Sequence, residues 1–149
     1  MEITIPHAIQ AEHRKLHAEL AKVMTLGGKT KEAAQAVEAV LHPHFLAEEE
    51  FAMPPLGALR AAAANENVGE APRIIELSSR LRADLPRMLE EHRGIVNALA
   101  GLEQAAEEER QPRALAFAEK LRAHAEMEEE VLYPAAIVVG DYLGLRVAR

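Results

Sequence analysis

The chain reads as an all-α protein, an antiparallel four-helix bundle built from two repeated helix hairpins. Aromatic residues are only 3% of the 149 residues while Ala, Leu and Glu are abundant, a composition that favours helices over sheets. Apolar residues recur at helical spacing along four segments. Finally, the stretch His124-Ala-Glu-Met-Glu128-Glu-Glu-Val-Leu-Tyr-Pro134 repeats one that lies eighty residues earlier, His44-Phe-Leu-Ala-Glu48-Glu-Glu-Phe-Ala-Met-Pro54. The His, the three consecutive Glu and the Pro occupy the same places in both.

The first helix is expected to start near Pro6, a residue suited to a first helical turn, and to stop at Gly27-Gly28 after Leu26. Ile9, His13, Leu16, His17, Leu20 and Met24 share one of its faces, so its histidines sit in the apolar stripe. A second helix opens after Thr30 as N-cap and runs through Val37, Leu41, His44 and Glu48 towards Met53, with Pro43 bending it and Pro54-Pro55-Leu-Gly57 ending it. Ala58 to Ala64 forms a short turn or helix before the polar loop Asn65 to Gly69. The third helix spans Pro72 to Ala100, with Gly101 just beyond, Pro86 as a second kink, and Leu85, Met88, Leu89, His92, Ile95, Val96 and Leu99 on one stripe. The fourth starts near Pro112, carries Phe117, Leu121, His124 and Glu128, and is halted by Pro134. A mostly apolar tail, 135–149, packs back on the bundle or forms a subunit contact.

With 49% hydrophobic residues this is one domain, the bundle covering about 6–134. The absence of cysteine excludes disulfides, thiolate metal sites and iron–sulfur clusters. A net charge of −7 and a pI near 5.5 argue against a nucleic-acid partner. The N-terminal Met-Glu-Ile-Thr-Ile-Pro lacks the basic and apolar segments of a leader, and the longest apolar run, Ala135 to Val139, falls far short of the roughly 20 residues that cross a bilayer. No membrane association and a cytoplasmic location are expected.

Residues four apart in a helix lie one turn apart on one face, so each repeated stretch aims an imidazole and a carboxylate in the same direction. Phe117 and Leu121 precede His124 by seven and three residues, as Val37 and Leu41 precede His44, which turns both pairs towards the core. A carboxylate there is costly unless it is paired, protonated or bound to metal. The repeat extends further: Glu12-His13-Arg14 recurs as Glu91-His92-Arg93, shifted by 79 residues. His13, His44, Glu48, His92, His124 and Glu128 then converge on the bundle axis as metal ligands. Core histidines hydrogen-bonded to core glutamates without metal is the competing reading, but pairing alone would not require the same pattern twice. Neither the Glu-x-x-His pattern of ferritin-like bundles nor the zinc-protease His-Glu-x-x-His occurs.

A lone His followed by His-x-x-x-Glu, the set repeated once, resembles the hemerythrin-like family, or HHE cation-binding domain. The resemblance runs from about Pro6 to Pro134 and implies a four-helix bundle that holds two non-haem irons. Oxygen-carrying hemerythrins put a His-x-x-x-His pair on the third helix and an Asp five residues after the fourth-helix His. Here the pair is His13/His17 on the first helix, Val96 stands at the matching place after His92, and Glu128 follows His124 by four. One arrangement has Glu48 and Glu128 bridging the irons together with an oxo or hydroxo group, His13 and His44 on one iron, and His92 and His124 on the other. His17 is then either a seventh ligand on the His13 iron or a buried imidazole bonded to a neighbour. His42 and His7 have no role, Glu49, Glu50, Glu129 and Glu130 form a solvated face with one of them available to orient a ligand His, and Tyr133, matching Met53, is a packing residue, with a site-lining phenol as the lesser reading.

Such a site binds O2, peroxide or NO with redox reactivity, including peroxide consumption or Fe(II) oxidation as an enzyme. The other readings are an iron store or an iron or oxygen sensor without turnover, and, more distantly, a metal-free helical interaction module.

Overall fold

The computed structural model describes residues 4–148; Met1–Ile3, the start of the stretch read for a leader, and Arg149, the end of the tail, lie outside the described residues. The fold is all-helical, with no strand among the described residues. In order come α1 (His7–Met24), α2 (Gly28–Ala47), α3 (Leu59–Ala63), α4 (Ala71–Glu108), α5 (Pro112–Met127) and α6 (Tyr133–Val147). Among the described residues no helix is long and apolar enough to cross a membrane.

The apolar stripes meet in one cluster drawn from Leu16, Leu20 and Val23 of α1, Val37, Leu41 and Phe45 of α2, Ile95, Leu99 and Leu102 of α4, and Phe117 and Leu121 of α5. α4 is longer than the sequence suggests, because Leu102, Ala105 and Ala106 continue its buried face past Gly101. One interior glycine costs only about 1 kcal/mol of helix propensity, less than those contacts return. The start of α2 also differs. Thr30 is not its N-cap but its third residue, buried, with hydroxyl and amide both donating to the Glu109 carboxylate that reaches over from the end of α4. The Lys29 amide donates there too, at 3.1 Å. Glu109 thus does from a distant part of the chain what an N-cap side chain does locally. Gly28, at φ +61°, lets it come that close: a Cβ there would collide with Glu109 Oε2.

Both repeated stretches leave the α-helical pattern at their ligand Glu. Glu48–Ala52 and Glu128–Leu132 are π turns, in which the amides of Met53 and Tyr133 donate five residues back to the carbonyls of Glu48 and Glu128. The cause is the proline six residues after each Glu, which has no N–H for the carbonyl four residues back and crowds it, so the turn widens. The two copies then diverge. After Met53 the chain tightens into a 3-10 turn, Pro54–Ala58, and breaks away into α3. After Leu132 it continues helically, and Pro134, expected to halt the helix, sits in the first turn of α6, a position that its fixed φ suits.

The tail is therefore a helix, and it packs on α4. The Ser78 hydroxyl donates to the Ala136 carbonyl at 2.7 Å, and Gly140 lies so close to α4 that a Cβ would collide with Ser78 Cβ.

Gly140→Ala is expected to lower stability by an amount on the order of 1 kcal/mol or more, since overpacking against Ser78 outweighs the helix-propensity gain; denaturant midpoints check this, and Ser78→Gly in the same chain should restore part of the loss. Glu109→Ala should lower the melting temperature at neutral pH. The Thr30 hydroxyl and the two amides hold the Glu109 carboxyl below its usual range, so its contribution is present above that range and disappears as the pH falls through the lowered value. The gap between wild type and variant should accordingly close in strongly acidic buffer.

Candidate metal centre

Each helix of the main core cluster brings one imidazole inward. His13 comes from α1, His44 from α2, His92 from α4 and His124 from α5, while Glu48 and Glu128 open the two π turns. None of the six is more than 3% exposed. Widened turns of this kind recur at functional sites.

The donors fall into two groups, His44, Glu48, His92 and Glu128 in one and His13, His124 and Glu128 in the other. Glu128 divides its oxygens between them: Oε1 is 3.1 Å from His92 Nε2, and Oε2 is 3.2 Å from His124 Nε2 and 3.8 Å from His13 Nε2. Glu48 serves the first group alone, its Oε1 3.1 Å from His44 Nε2. This is not the sorting expected from the repeat, which put His13 with His44 and His92 with His124. The rings that meet come from opposite halves, His44 with His92 at 4.7 Å and His13 with His124 at 5.2 Å between centroids. The reason is on their outer sides. His44 is tied to Glu91 of α4 and His124 to Glu12 of α1, so each is drawn to the other half's helix.

Outer hydrogen bonds hold three of the four imidazoles. Nδ1 of His44 donates to Glu91 at 2.8 Å, that of His124 to Glu12 at 2.8 Å and that of His92 to Glu129 at 3.0 Å, while His13 Nδ1 faces Glu49 at 3.6 Å. The pattern obeys the repeat, since Glu12 and Glu91 precede the lone histidines and Glu49 and Glu129 follow the buried glutamates. A partly exposed carboxylate only accepts, so each bonded Nδ1 carries the hydrogen, and in the neutral ring Nε2 turns a lone pair inward, at His92 towards Glu128 Oε1 at 3.1 Å.

Inward, those lone pairs meet more acceptors. Both oxygens of Glu48, Glu128 Oε2, His124 Nε2 and both nitrogens of His13 are buried with no hydrogen-bond partner. Orphans of this kind are rare in folded proteins. Protons do not reconcile them all. Burial alone would depress His44, and the carboxylates of Glu48 and Glu91 outweigh it to raise it, whereas burial and the charge of His44 push the adjoining His92 down. A cation among imidazole nitrogens and carboxylate oxygens satisfies the set, and these donors suit iron, manganese or zinc.

Three other placements matter. His17 belongs to neither group; half-buried, its ring lies edge-on to Phe45 at 5.0 Å and 6.0 Å from His42, and burial followed by His42 lowers it. Phe45 in turn stacks on His13 at 4.0 Å. His7 and His42 are exposed. Tyr133 is not simply packing: it is fully buried, stacks on His92, and sets its hydroxyl 3.2 Å from His44 Nε2 and 3.1 Å from His92 Nε2. Burial and then the Glu48 charge push its phenol far up, so it is protonated in the metal-free chain. Tyr133 thus follows the lesser of its two sequence readings, a site-lining phenol, whereas sequence reasoning misses the roles of Glu12 and Glu91. Those two carry a visible signal, the Glu-His-Arg triplet in each half, which marks the Glu as well as the His.

An all-helical protein with a buried His/Glu cluster whose acceptors need a positive partner is, by class, a cation-binding one. The chain belongs to the hemerythrin HHE cation-binding domain family, whose family model matches residues 4–136. Comparison with curated proteins and with solved structures finds no match.

Because Glu12 and Glu91 hold the tautomers of His124 and His44, Glu12→Gln and Glu91→Gln are expected to weaken metal binding by about 10–100-fold while leaving the fold intact. Competition with a chromophoric chelator measures this; unchanged affinity in both variants would show that the outer carboxylates do not orient the ligands.

Proposed function

We propose that this protein holds two non-haem irons, joined by Glu128 and an oxo or hydroxo bridge, and that it binds O2, peroxide or NO there with redox reactivity. The observation that carries this reading is Glu128, buried at the meeting point of the two donor groups with one oxygen turned to each. In this reading α1 with α2 and α4 with α5 are the two antiparallel hairpins of a four-helix bundle, and the repeat of inner and outer partners is its pseudo-twofold.

The irons would supply electron transfer to the small ligand. The chain's own residues do the rest. His44 and His92 with Glu48 and Glu128 hold one ion; His13 and His124 with Glu128 hold the other. The outer glutamates fix the imidazoles, and Phe45 stacked on His13 keeps that side dry. A groove of about 600 Å³ between α1 and α5, lined by Glu12, Leu16, Lys120, His124 and Met127, opens beside the His13/His124 group and gives a small ligand a route from the surface.

Protein produced in ample iron is expected to contain two irons per chain and to show near-ultraviolet bands of a bridged diferric pair. Glu128→Gln should deplete both irons, whereas Glu48→Gln should deplete chiefly one, because only Glu128 faces both groups. A single tightly held metal, or zinc alone, would overturn the dinuclear reading.

A further inference from the structure

Two histidines stay outside both donor groups and lie against each other in the seam between α1 and α2. The rings of His17 and His42 have their centroids 6.0 Å apart at 73°, and among the described residues neither imidazole has a hydrogen-bond or ion-pair partner. Glu38 stands one turn before His42, which places it on the face of α2 that also carries His42 and Phe45. Among the charges that act on His17 are the carboxylates of Glu49 and Glu38.

The spacing of the two rings suits a shared ion. With metal–nitrogen bonds of about 2.1 Å an ion lies about 3.2 Å from the centroid of each imidazole, so two rings on one ion have centroids from about 5 Å apart at a tetrahedral angle to about 6.4 Å when opposed. His17 and His42 fall inside that range, and the exposed side chain of His42 can turn to close it. Two imidazoles and a carboxylate are donors for a divalent cation such as zinc or iron(II). The buried centre does not claim His17, because the Phe45 ring comes between: it stacks on His13 at 4.0 Å and stands edge-on to His17 at 5.0 Å.

Glu49 connects the two sides of that ring. Its carboxylate faces His13 Nδ1 at 3.6 Å, is 46% exposed, and acts on His17 as well. His13 is also the one inner imidazole whose Nδ1 has no hydrogen-bond partner, so no outer bond has to break before it meets an incoming ion. Resting on the reading of the buried cluster as a metal centre, we infer that His17, His42 and Glu38 form a separate outer cation site, and that a divalent cation held there passes by way of Glu49 to His13 and the centre. The cation exchanges ligands and keeps its charge; no electron is transferred.

The test counts metal and times its entry. The protein as purified, with its centre filled, is expected to bind one further zinc(II) per chain in isothermal titration calorimetry, and the double variant His17→Ala/His42→Ala none. Glu38→Gln should weaken that binding, while His7→Ala, which removes an exposed imidazole elsewhere, should leave it unchanged. In stopped-flow mixing with limiting iron(II), metal-free double variant should fill its centre severalfold more slowly than wild type and reach the same final iron content. A wild-type chain that takes up no further zinc, or a double variant that takes up as much, would overturn the outer site, and iron uptake at the wild-type rate would overturn its part in loading. Loss of iron from the filled centre of His17→Ala would make His17 an inner ligand and overturn the inference with the metal centre intact. A wild-type chain whose buried cluster retains no metal would overturn the metal-centre reading instead, and the zinc count would still decide the outer site.

Discussion

Two carboxylates stand in the interior of a protein whose other core side chains are almost all apolar. Glu48 and Glu128 are essentially sealed from solvent, and the full cost of an unpaired buried carboxylate is several kcal/mol. Much of the surrounding structure can be traced to that constraint. Four imidazoles face the two glutamates, and each imidazole has a further carboxylate behind it, so charge is passed outward from the core to the half-exposed rim in steps. On the outer side three of the four imidazoles donate to a carboxylate, His13 Nδ1 being the exception, and at the centre both oxygens of Glu48, Glu128 Oε2 and Nε2 of His13 and His124 have no partner. A positive ion is the one addition that satisfies the centre without disturbing the rim.

The prolines belong to the same account. An α-helix carried straight through Glu48 or Glu128 would have no reason to widen there; Pro54 and Pro134, six residues on, remove a donor and force the turn to open. The wide turn begins at the ligand in both copies. In the first copy the strain is released by turning the chain away, in the second by starting α6, whose inner face returns to α4 through Ser78 and Gly140. The same local chemistry thus has two topological outcomes. The residues just after each proline differ in kind: Pro55 and Gly57 are poor α-helix formers and lie in the 3-10 turn, whereas Ala135, Ala136 and Ile137 continue the α-helix.

Much of this is legible in the residues. The helical period assigns His13, His44, Glu48, His92, His124 and Glu128 to buried faces, and burial of acids beside imidazoles by itself points to a cation. Period, however, reports which face of a helix a residue occupies and not which helix it meets. The sorting of the rings depends on Glu91 reaching His44 and Glu12 reaching His124, contacts between residues 47 and 112 positions apart. Thr30 and Glu109 show the same limit, a cap supplied from 79 residues away. Gly101 and Pro134 mislead for a different reason: stop signals carry a kcal/mol or so, and continued burial beyond them outweighs that.

The near-symmetry of the halves makes their differences informative. Every inner histidine and every outer glutamate has a counterpart under the repeat. The two donor groups are nonetheless unequal. Glu48 serves one group alone while Glu128 divides its oxygens between two, and a hydroxyl at Tyr133 matches a thioether at Met53. Both departures enrich the His44/His92 side and leave the His13/His124 side poorer, and a surface groove approaches each side, one reaching His124 and the other His92. The inequality between the two donor groups comes from two positions, Glu48 and Tyr133, set into an otherwise repeated scaffold.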